Sequence, residues 1–153
     1  MNAAEEVQER IEAYLTEIDQ VIANAKPGAG LFGIGISPKN DPCNDRFLTG
    51  MQTWFEQFAL SEPSSEETER VMDVVFTAQQ RRQDFVFFTL IAIHGMAIPL
   101  VKYLSPEAAG RQAEAYEIRI PKTQRMPVHL KLLDELYRRA GRQPRKRGLF
   151  GRR

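Results

Sequence analysis

The chain has 153 residues, of which 42% are hydrophobic and 27% charged, and its formal net charge is +1. This composition fits one globular domain and excludes a disordered chain or a disulfide-stabilised small domain, since the single cysteine, Cys43, cannot form an internal disulfide. The first ten residues are acidic and lack the basic-then-apolar order of a signal peptide, so we expect a cytoplasmic protein.

The charges are distributed unevenly along the chain. Residues 1–80 contain 14 acidic and five basic side chains, whereas residues 81–153 contain 16 basic and six acidic ones. Opposite charges attract most where they come close in a partly desolvated fold. We therefore predict that the two halves attract each other.

Residues 3–25 have the pattern of an amphipathic helix. Apolar side chains recur at intervals of three and four residues from Ala4 to Ala25, and the opposite side is acidic. Lys26 and the Pro-Gly pair that follows it suit the end of a helix. The first predicted element is therefore a helix over 3–25.

The glycine-rich segment GAGLFG, residues 28–33, follows this helix. It satisfies the letters of the dinucleotide-binding pattern G-x-G-x-x-G, but that site needs a preceding strand, and here a helix precedes it. We therefore predict no nucleotide cofactor and interpret the segment as a connector. Residues 116–121 alternate in polarity, which leaves open a short two-stranded β ribbon with residues 31–36.

The motif DPCND, residues 41–45, reads most simply as the start of a second helix. Asp41 is a good N-cap, and Pro42 suits the first helical position because its missing N–H needs no partner there. Apolar residues with helical spacing follow as far as Phe58. The motif therefore predicts a helix entrance.

The same motif also allows a catalytic interpretation. Free amides at a helix start favour a thiolate, which makes Cys43 a candidate nucleophile. A cysteine hydrolase needs a neighbouring base, and the sequence contains only His94 and His129, neither in a nucleophile signature. Cys43 and His94 remain catalytic candidates. No metal site is predicted from Cys43, Asp45 and the two histidines, because no pair has a spacing typical of zinc.

Three more helices are predicted from their ends. Ser64, with Glu67 three residues later, forms a capping box for a third helix, and Ser105 is the N-cap of a helix that runs to about residue 117. A leucine-rich pattern then predicts a final helix that ends near Gly141.

Residues 85–101 are apolar on all sides, and this pattern has two interpretations. It fits a helix surrounded by others or a membrane span, but a span needs about 20 apolar residues and this run is shorter. We favour a core helix and expect no transmembrane segment. Pro99 cannot donate to the carbonyl of Gly95, which predicts a kink there, with His94 forming a polar spot satisfied inside the core.

The C-terminal end is strongly basic and has no acidic residue from position 138 onward. We predict a single helical domain over 1–141 and a flexible basic tail over 142–153. Such a cluster favours polyanions, either nucleic acid or an anionic membrane surface. The candidate polyanion-binding residues are Arg138, Arg139, Arg142, Arg145, Lys146, Arg147, Arg152 and Arg153.

Together these patterns predict a mainly α protein, a compact bundle of four to six helices around the apolar helix at residues 85–101. No catalytic constellation is evident, so we expect a small protein-interaction or regulatory module with an unidentified protein partner, no cofactor and no metal. The first alternative is a nucleic-acid or anionic-membrane binder that acts through the tail. The second is a thiol enzyme that uses Cys43.

Overall fold

The structure, a computed structural model, describes residues 1–25 and 38–143. The mainly α prediction is confirmed for these residues, which contain no strand. The α-helices are Ala3–Asn24 (α1), Pro42–Leu60 (α2), Ser65–Ala78 (α3), Val86–Ala97 (α4), Pro106–Arg119 (α5) and Pro127–Arg139 (α6). Short 3-10 segments lie at Pro38–Asn40, Gln79–Arg81, Ile98–Tyr103 and Lys122–Gln124.

Side chains just before the helices fix where four of them begin. In each case a side-chain oxygen accepts a hydrogen bond from a backbone amide of the first turn, which has no partner within the helix. The four N-cap residues are Asn2, Asp41, Ser64 and Ser105. The acceptor–donor distances are 2.9, 2.9, 3.2 and 3.1 Å in that order.

The end of α6 is fixed by a glycine. Gly141 has a φ of 74°, in the left-handed region, and the amide of Arg142 donates to the carbonyl of Tyr137 at 2.9 Å. This pairing closes the last helical turn, and glycine adopts the required conformation without the strain that a Cβ would add.

The helices pack in two layers of three. In one layer α3 contacts both α1 and α5, and in the other α4 contacts both α2 and α6. The layers are joined because α1 packs on α2, α3 on α4 and α5 on α6. As a result, α3 and α4 are the middle helices of the two layers, and each is backed by the other.

The core lies between the layers. Phe76 of α3, Leu90 of α4 and Tyr116 of α5 are fully buried in it. The rings of Phe76 and Tyr116 meet edge to face with their centroids 4.9 Å apart. Burial of each such side chain stabilises the fold by about 1.5–3 kcal/mol relative to exposure.

The apolar helix α4 is covered on three sides, whereas the sequence predicts a helix covered on all sides. A middle helix in a two-layer fold has neighbours beside and behind it, and its fourth side faces outward. The side chain of Phe88 lies on that side and is 60% exposed. The tertiary arrangement therefore leaves part of the most apolar segment uncovered.

The helix changes type next to Pro99, and the kink predicted near Gly95 stays a prediction. The α-helix continues to Ala97 and then tightens into the 3-10 segment Ile98–Tyr103. In a regular α-helix the amide of residue 99 would donate to the carbonyl of Gly95, but proline has no N–H. The amide of Ile98 donates to this carbonyl instead. A hydrogen bond between residues three apart, typical of a 3-10 turn, thus replaces the bond between residues four apart that proline removes.

One half of the predicted β ribbon is wrong, because Tyr116–Arg119 belongs to α5. Ala109, Ala113 and Tyr116 are all buried, and their spacing of four and three residues is that of one helix side. Burial of this side outweighs the short alternation in polarity that favours a strand. The other half, residues 31–36, lies outside the described residues.

The predicted attraction between the acidic and basic halves is present as ion pairs. Within residues 1–25 and 38–143, four pairs join a carboxylate from the first 80 residues to a later arginine. They are Glu12–Arg81, Asp19–Arg82, Glu69–Arg111 and Asp73–Arg119. Most of the carboxylates are well exposed, so each pair contributes at most about 1 kcal/mol, and together they favour this arrangement of the helices.

Candidate functional site

The side of α4 that faces away from the core is apolar. We call it the outward side of α4 and define it by Phe88, which is exposed, and by the half-buried Phe85, Thr89, Ala92 and Met96, of which Phe85 and Met96 also pack against the edge of the core. Their spacing places them on one side of a helix. The chain has no charged residue between Asp84 and Lys102. Nothing on the helix itself therefore interrupts this surface with charge.

The equivalent side of α3 has the opposite character. Four exposed polar residues of α3 have the same spacing as Phe85, Thr89, Ala92 and Met96 of α4. They are Glu66, Arg70, Asp73 and Thr77. Arg70 forms an ion pair with Glu66 one turn away. α3 and α4 have the same position in the two layers. The solvent-facing side of α3 is therefore polar, whereas that of α4 is apolar. Contiguous exposed apolar surface of this kind marks interaction sites.

The segment that contains α4 also meets the length and composition criteria for a membrane span. Among the described residues, Val86–Tyr103 is the one such stretch, and 44% of its residues are buried. The core helix of a soluble protein satisfies the same two criteria. Length and composition therefore do not by themselves assign a membrane span to this segment.

The thiol of Cys43 lies in the second position of α2 but is only 1% exposed. Burial raises its pKa to about 11, and the nearby Asp41 carboxylate acts in the same direction. These effects outweigh the free amides of the helix start, which would favour the thiolate. The charged groups that affect the pKa of the thiol are Asp41, Glu17 and Arg46. No histidine contributes to this pKa as a neighbouring base would. The structure thus disfavours a nucleophilic role for Cys43.

A groove of about 240 Å³ lies beside Cys43, between α1 and α2. Three charged side chains lie along it, Arg10, Glu17 and Arg46, and Arg46 forms an ion pair with Glu17 across the two helices. Glu17 is the one carboxylate among the described residues that line the groove, and its partner is Arg46. No histidine lines the groove in the described part of the chain.

Asn44, the residue after Cys43, is a positioning residue that the sequence pattern does not reveal. Its side-chain oxygen accepts from the hydroxyl of Tyr14 in α1 at 2.5 Å. Its amide nitrogen donates to the carbonyls of Asp41 at 3.1 Å and Pro38 at 3.3 Å. One buried side chain thus joins α1, the 3-10 turn and the start of α2. An asparagine within a helix N-terminal motif reads as a local cap, so the long-range role leaves no sequence signal.

The two histidines meet in the core, where the sequence predicts only that His94 is satisfied internally. His94 of α4, Tyr116 of α5 and His129 of α6 join Gln79, at the end of α3, in what we call the imidazole cluster. Nδ1 of His94 lies 2.8 Å from the Tyr116 hydroxyl, and the two imidazole centroids are 5.7 Å apart. His129, Tyr116 and His94 are fully buried. Four elements therefore contribute to one buried polar group.

Burial lowers the pKa of His94 to about 3, and the neighbouring His129 acts in the same direction. Burial also lowers the pKa of His129, with a further contribution from Arg125, and raises that of Tyr116. Nε2 of His94 has no hydrogen-bond partner among the described residues, so the prediction that His94 is satisfied internally holds for Nδ1 alone. All three groups are neutral at pH 7. The cluster is a buried structural network, and the structure does not bring His94 to Cys43.

Three of the eight candidate polyanion-binding residues are described, and each is engaged within the domain. Arg138 pairs with Glu135, and Arg142 pairs with Glu114 at 2.9 Å. Nε of Arg139 donates to the carbonyl of Leu104 at 2.6 Å. The remaining five, from Arg145 onward, lie outside the described residues. The structure therefore leaves the predicted polyanion site and the tail boundary at residue 142 as predictions.

Among the described residues there is no group of three or more histidine, cysteine or acidic side chains that could hold a metal ion. Comparisons with protein-family models, curated proteins and solved structures gave no match for this chain. In the described part of the chain, the outward side of α4 is an unusually apolar surface for a helix that faces solvent.

Proposed function

We propose that this protein is a non-catalytic helical module that binds another protein through the outward side of α4. The observation that carries the proposal is the contrast between the two middle helices. α3 presents charged and hydroxyl side chains to solvent, whereas α4 presents Phe88 and its apolar neighbours in the same position. Because 60% of Phe88 is exposed, covering it contributes about 1–2 kcal/mol, which is enough for an interface anchor.

Other features of the molecule support a binding role over catalysis. The thiol of Cys43 is buried with a raised pKa, and no histidine acts on it. The buried histidines contact each other and Tyr116 and serve packing. A helix that keeps an apolar side toward water exposes a surface that favours aggregation unless a partner covers it. Binding through α4 gives this surface a use.

Site-specific crosslinking tests the proposal. A photoreactive phenylalanine analogue is placed at position 88, and at position 118 as the matched control, because Ile118 of α5 is 83% exposed and lies on another helix. Illumination in the native cell should give a discrete protein adduct from position 88 and none from position 118. Adducts with lipid alone, or equal adducts from both positions, would contradict a protein-binding role for α4.

The partner identified in this way is then purified and its affinity measured. Phe88→Asp should weaken binding at least about tenfold, as expected when a central apolar anchor is lost, and Ile118→Asp should not. Thermal unfolding of both variants shows whether the domain remains folded, so a loss of affinity can be separated from a loss of structure. Equal affinity of the two variants would remove the outward side of α4 from the interface.

A further inference from the structure

The first turn of α6 is held by an unusual acceptor. Met126, the residue before this helix, has no side-chain oxygen that could accept from a backbone amide. Instead the amide of Met126 donates to Nδ1 of His129 at 2.9 Å. Because Nδ1 accepts this bond, the proton of the neutral ring lies on Nε2, which donates to the side-chain oxygen of Gln79 at 2.9 Å.

These two bonds fix one tautomer of a fully buried imidazole and join two separate parts of the fold. Nδ1 faces the start of α6, and Nε2 faces the 3-10 segment Gln79–Arg81 at the end of α3. A second proton on the ring would have to bind Nδ1. The new N–H would then point at the amide N–H of Met126, so two donors would face each other. The neutral ring fits the site, and the imidazolium does not.

We propose that His129 is an acid-sensitive latch, which holds the first turn of α6 against the Gln79–Arg81 segment and releases it when Nδ1 takes up a proton. The groups around the ring offer no relief for the added charge. His94 of α4 and Arg125, just before α6, are basic, Tyr116 of α5 is a neutral phenol, and Gln79 is uncharged. No carboxylate of the described residues acts on either imidazole.

Arg125 cannot move away from this site without breaking other bonds. Its Nε donates to the carbonyl of Ile120 at 2.9 Å, and a terminal nitrogen donates to the carbonyl of Glu117 at 3.2 Å. The carboxylate of Glu117 accepts from the hydroxyl of Tyr137. The fixed guanidinium of Arg125 therefore opposes a charge on His129, and the neutral ring of His94 does not offset it.

Release of this turn has a consequence for α4. Val128 lies in the first turn of α6 and packs on Gly95 of α4. A Cβ at position 95 would lie 3.5 Å from Cγ2 of Val128, in ordinary contact. Val128 thus covers the glycine side of α4, next to the outward side of α4. When the turn opens, the exposed apolar surface of α4 becomes larger. Its value for partner binding rests on the proposed function, whereas the latch itself does not.

Nitrogen NMR of the histidine-labelled full chain tests the tautomer without any substitution. At about pH 7.5 the signals of His129 should show Nδ1 without a proton and Nε2 with one. Amide exchange of Met126 and Leu130, corrected for intrinsic rates, reports opening of the turn, because these amides donate to Nδ1 of His129 and to the carbonyl of Met126. Below the ordinary histidine pKa the opening constant should increase about tenfold for each pH unit, because one proton is taken up on opening.

His129→Asn provides the matched variant. Asparagine can accept from the Met126 amide as Nδ1 does, but it does not titrate, so opening of residues 126–130 should become independent of pH. The wild-type NMR titration decides the matter if this variant fails to fold. A proton on Nδ1 in the neutral protein, or an imidazolium with undiminished amide protection of Met126 and Leu130 at about pH 5, would overturn the latch.

Discussion

The hydroxyl of Tyr14 in α1 donates a 2.5 Å hydrogen bond to the side-chain oxygen of Asn44 in α2. The ring of Tyr14 also stacks on Phe47, one turn further along α2, with the centroids 4.2 Å apart. The other end of Asn44 holds the 3-10 turn that leads into α2. These two side chains therefore set how the first helix meets the second.

Asn44→Ala should destabilise the domain by about 2 kcal/mol, because it leaves the buried Tyr14 hydroxyl without its acceptor and frees the turn carbonyls. Tyr14→Phe should cost about 1 kcal/mol, since the ring contacts remain. Urea unfolding of both variants and of the double mutant gives the coupling energy. Asn40→Ala, at an exposed position of the same turn, is the control and should change stability by less than about 0.5 kcal/mol. Strictly additive effects would show that Tyr14 and Asn44 do not act together.

The pH dependence of alkylation should show that Cys43 is unreactive. In the folded protein its reaction with iodoacetamide should have a midpoint near the raised pKa of about 11, and in urea the midpoint should return to about 8.5. Asp41→Asn removes the negative charge that opposes the thiolate and should lower the midpoint of the folded protein. A midpoint well below that of the unfolded chain would instead restore Cys43 as a candidate nucleophile.

Asp41→Ala should cost about 1 kcal/mol, because the amide of Cys43 loses its acceptor at the start of α2. Asp41→Asn should retain most of the stability, since asparagine caps equally well. Cys43→Ala should cost little and leave function intact. Equilibrium unfolding of the three variants distinguishes the cap from the thiol. If Cys43→Ala abolishes function while Asp41→Ala does not, the motif is a functional site rather than a helix entrance.

Stability should fall in acid because of His94. Its pKa is lowered from 6.5 to about 3 in the folded protein, so its contribution is complete above pH 6.5 and is lost as the pH falls from 6.5 toward 3. Within this window the free energy of unfolding should decrease by about 1.4 kcal/mol for each pH unit per proton taken up.

His94→Leu should reduce this slope, and at pH 7 it should cost about 1–3 kcal/mol because the Tyr116 hydroxyl loses its partner. Urea unfolding of wild type and variant at several pH values measures both effects. A loss above about 3 kcal/mol would indicate a larger polar network. An unchanged slope would show that His94 does not titrate during unfolding.

Truncation after Gly141 tests the basic tail. If the tail binds polyanions, the full chain should bind single-stranded DNA, duplex DNA or anionic vesicles near physiological salt, and the truncated chain should not. On nucleic acid the log-log salt slope should be about −0.7 to −0.9 for each phosphate contact. Phe150→Ala should weaken binding to vesicles more than binding to DNA, because an apolar side chain adds to membrane contact. Equal binding by the full and truncated chains would remove the tail as the binding element.

Local patterns in the sequence were sufficient for the helices. The predicted range 3–25 corresponds to α1, and Asp41, Ser64 and Ser105 lie at the starts of α2, α3 and α5. Such boundaries depend on residues within one turn of each other, through caps, prolines and apolar spacing, so a single segment contains the necessary information. The strand predicted at 116–121 is wrong because it depended on local alternation alone. Burial against other helices, which a local pattern does not include, favours α5 there.

The sequence by itself thus determined the helical class, most helix boundaries and the opposite charges of the two halves. Only the tertiary structure decided that Tyr14 holds Asn44, that the two histidines meet, and that Cys43 is buried, which raises its pKa. It also decided which side of α4 remains uncovered, because the apolar residues of this helix lie on every side and identify none as outward. Each of these features depends on contacts between residues far apart in the chain, whose positions follow from how the two layers pack.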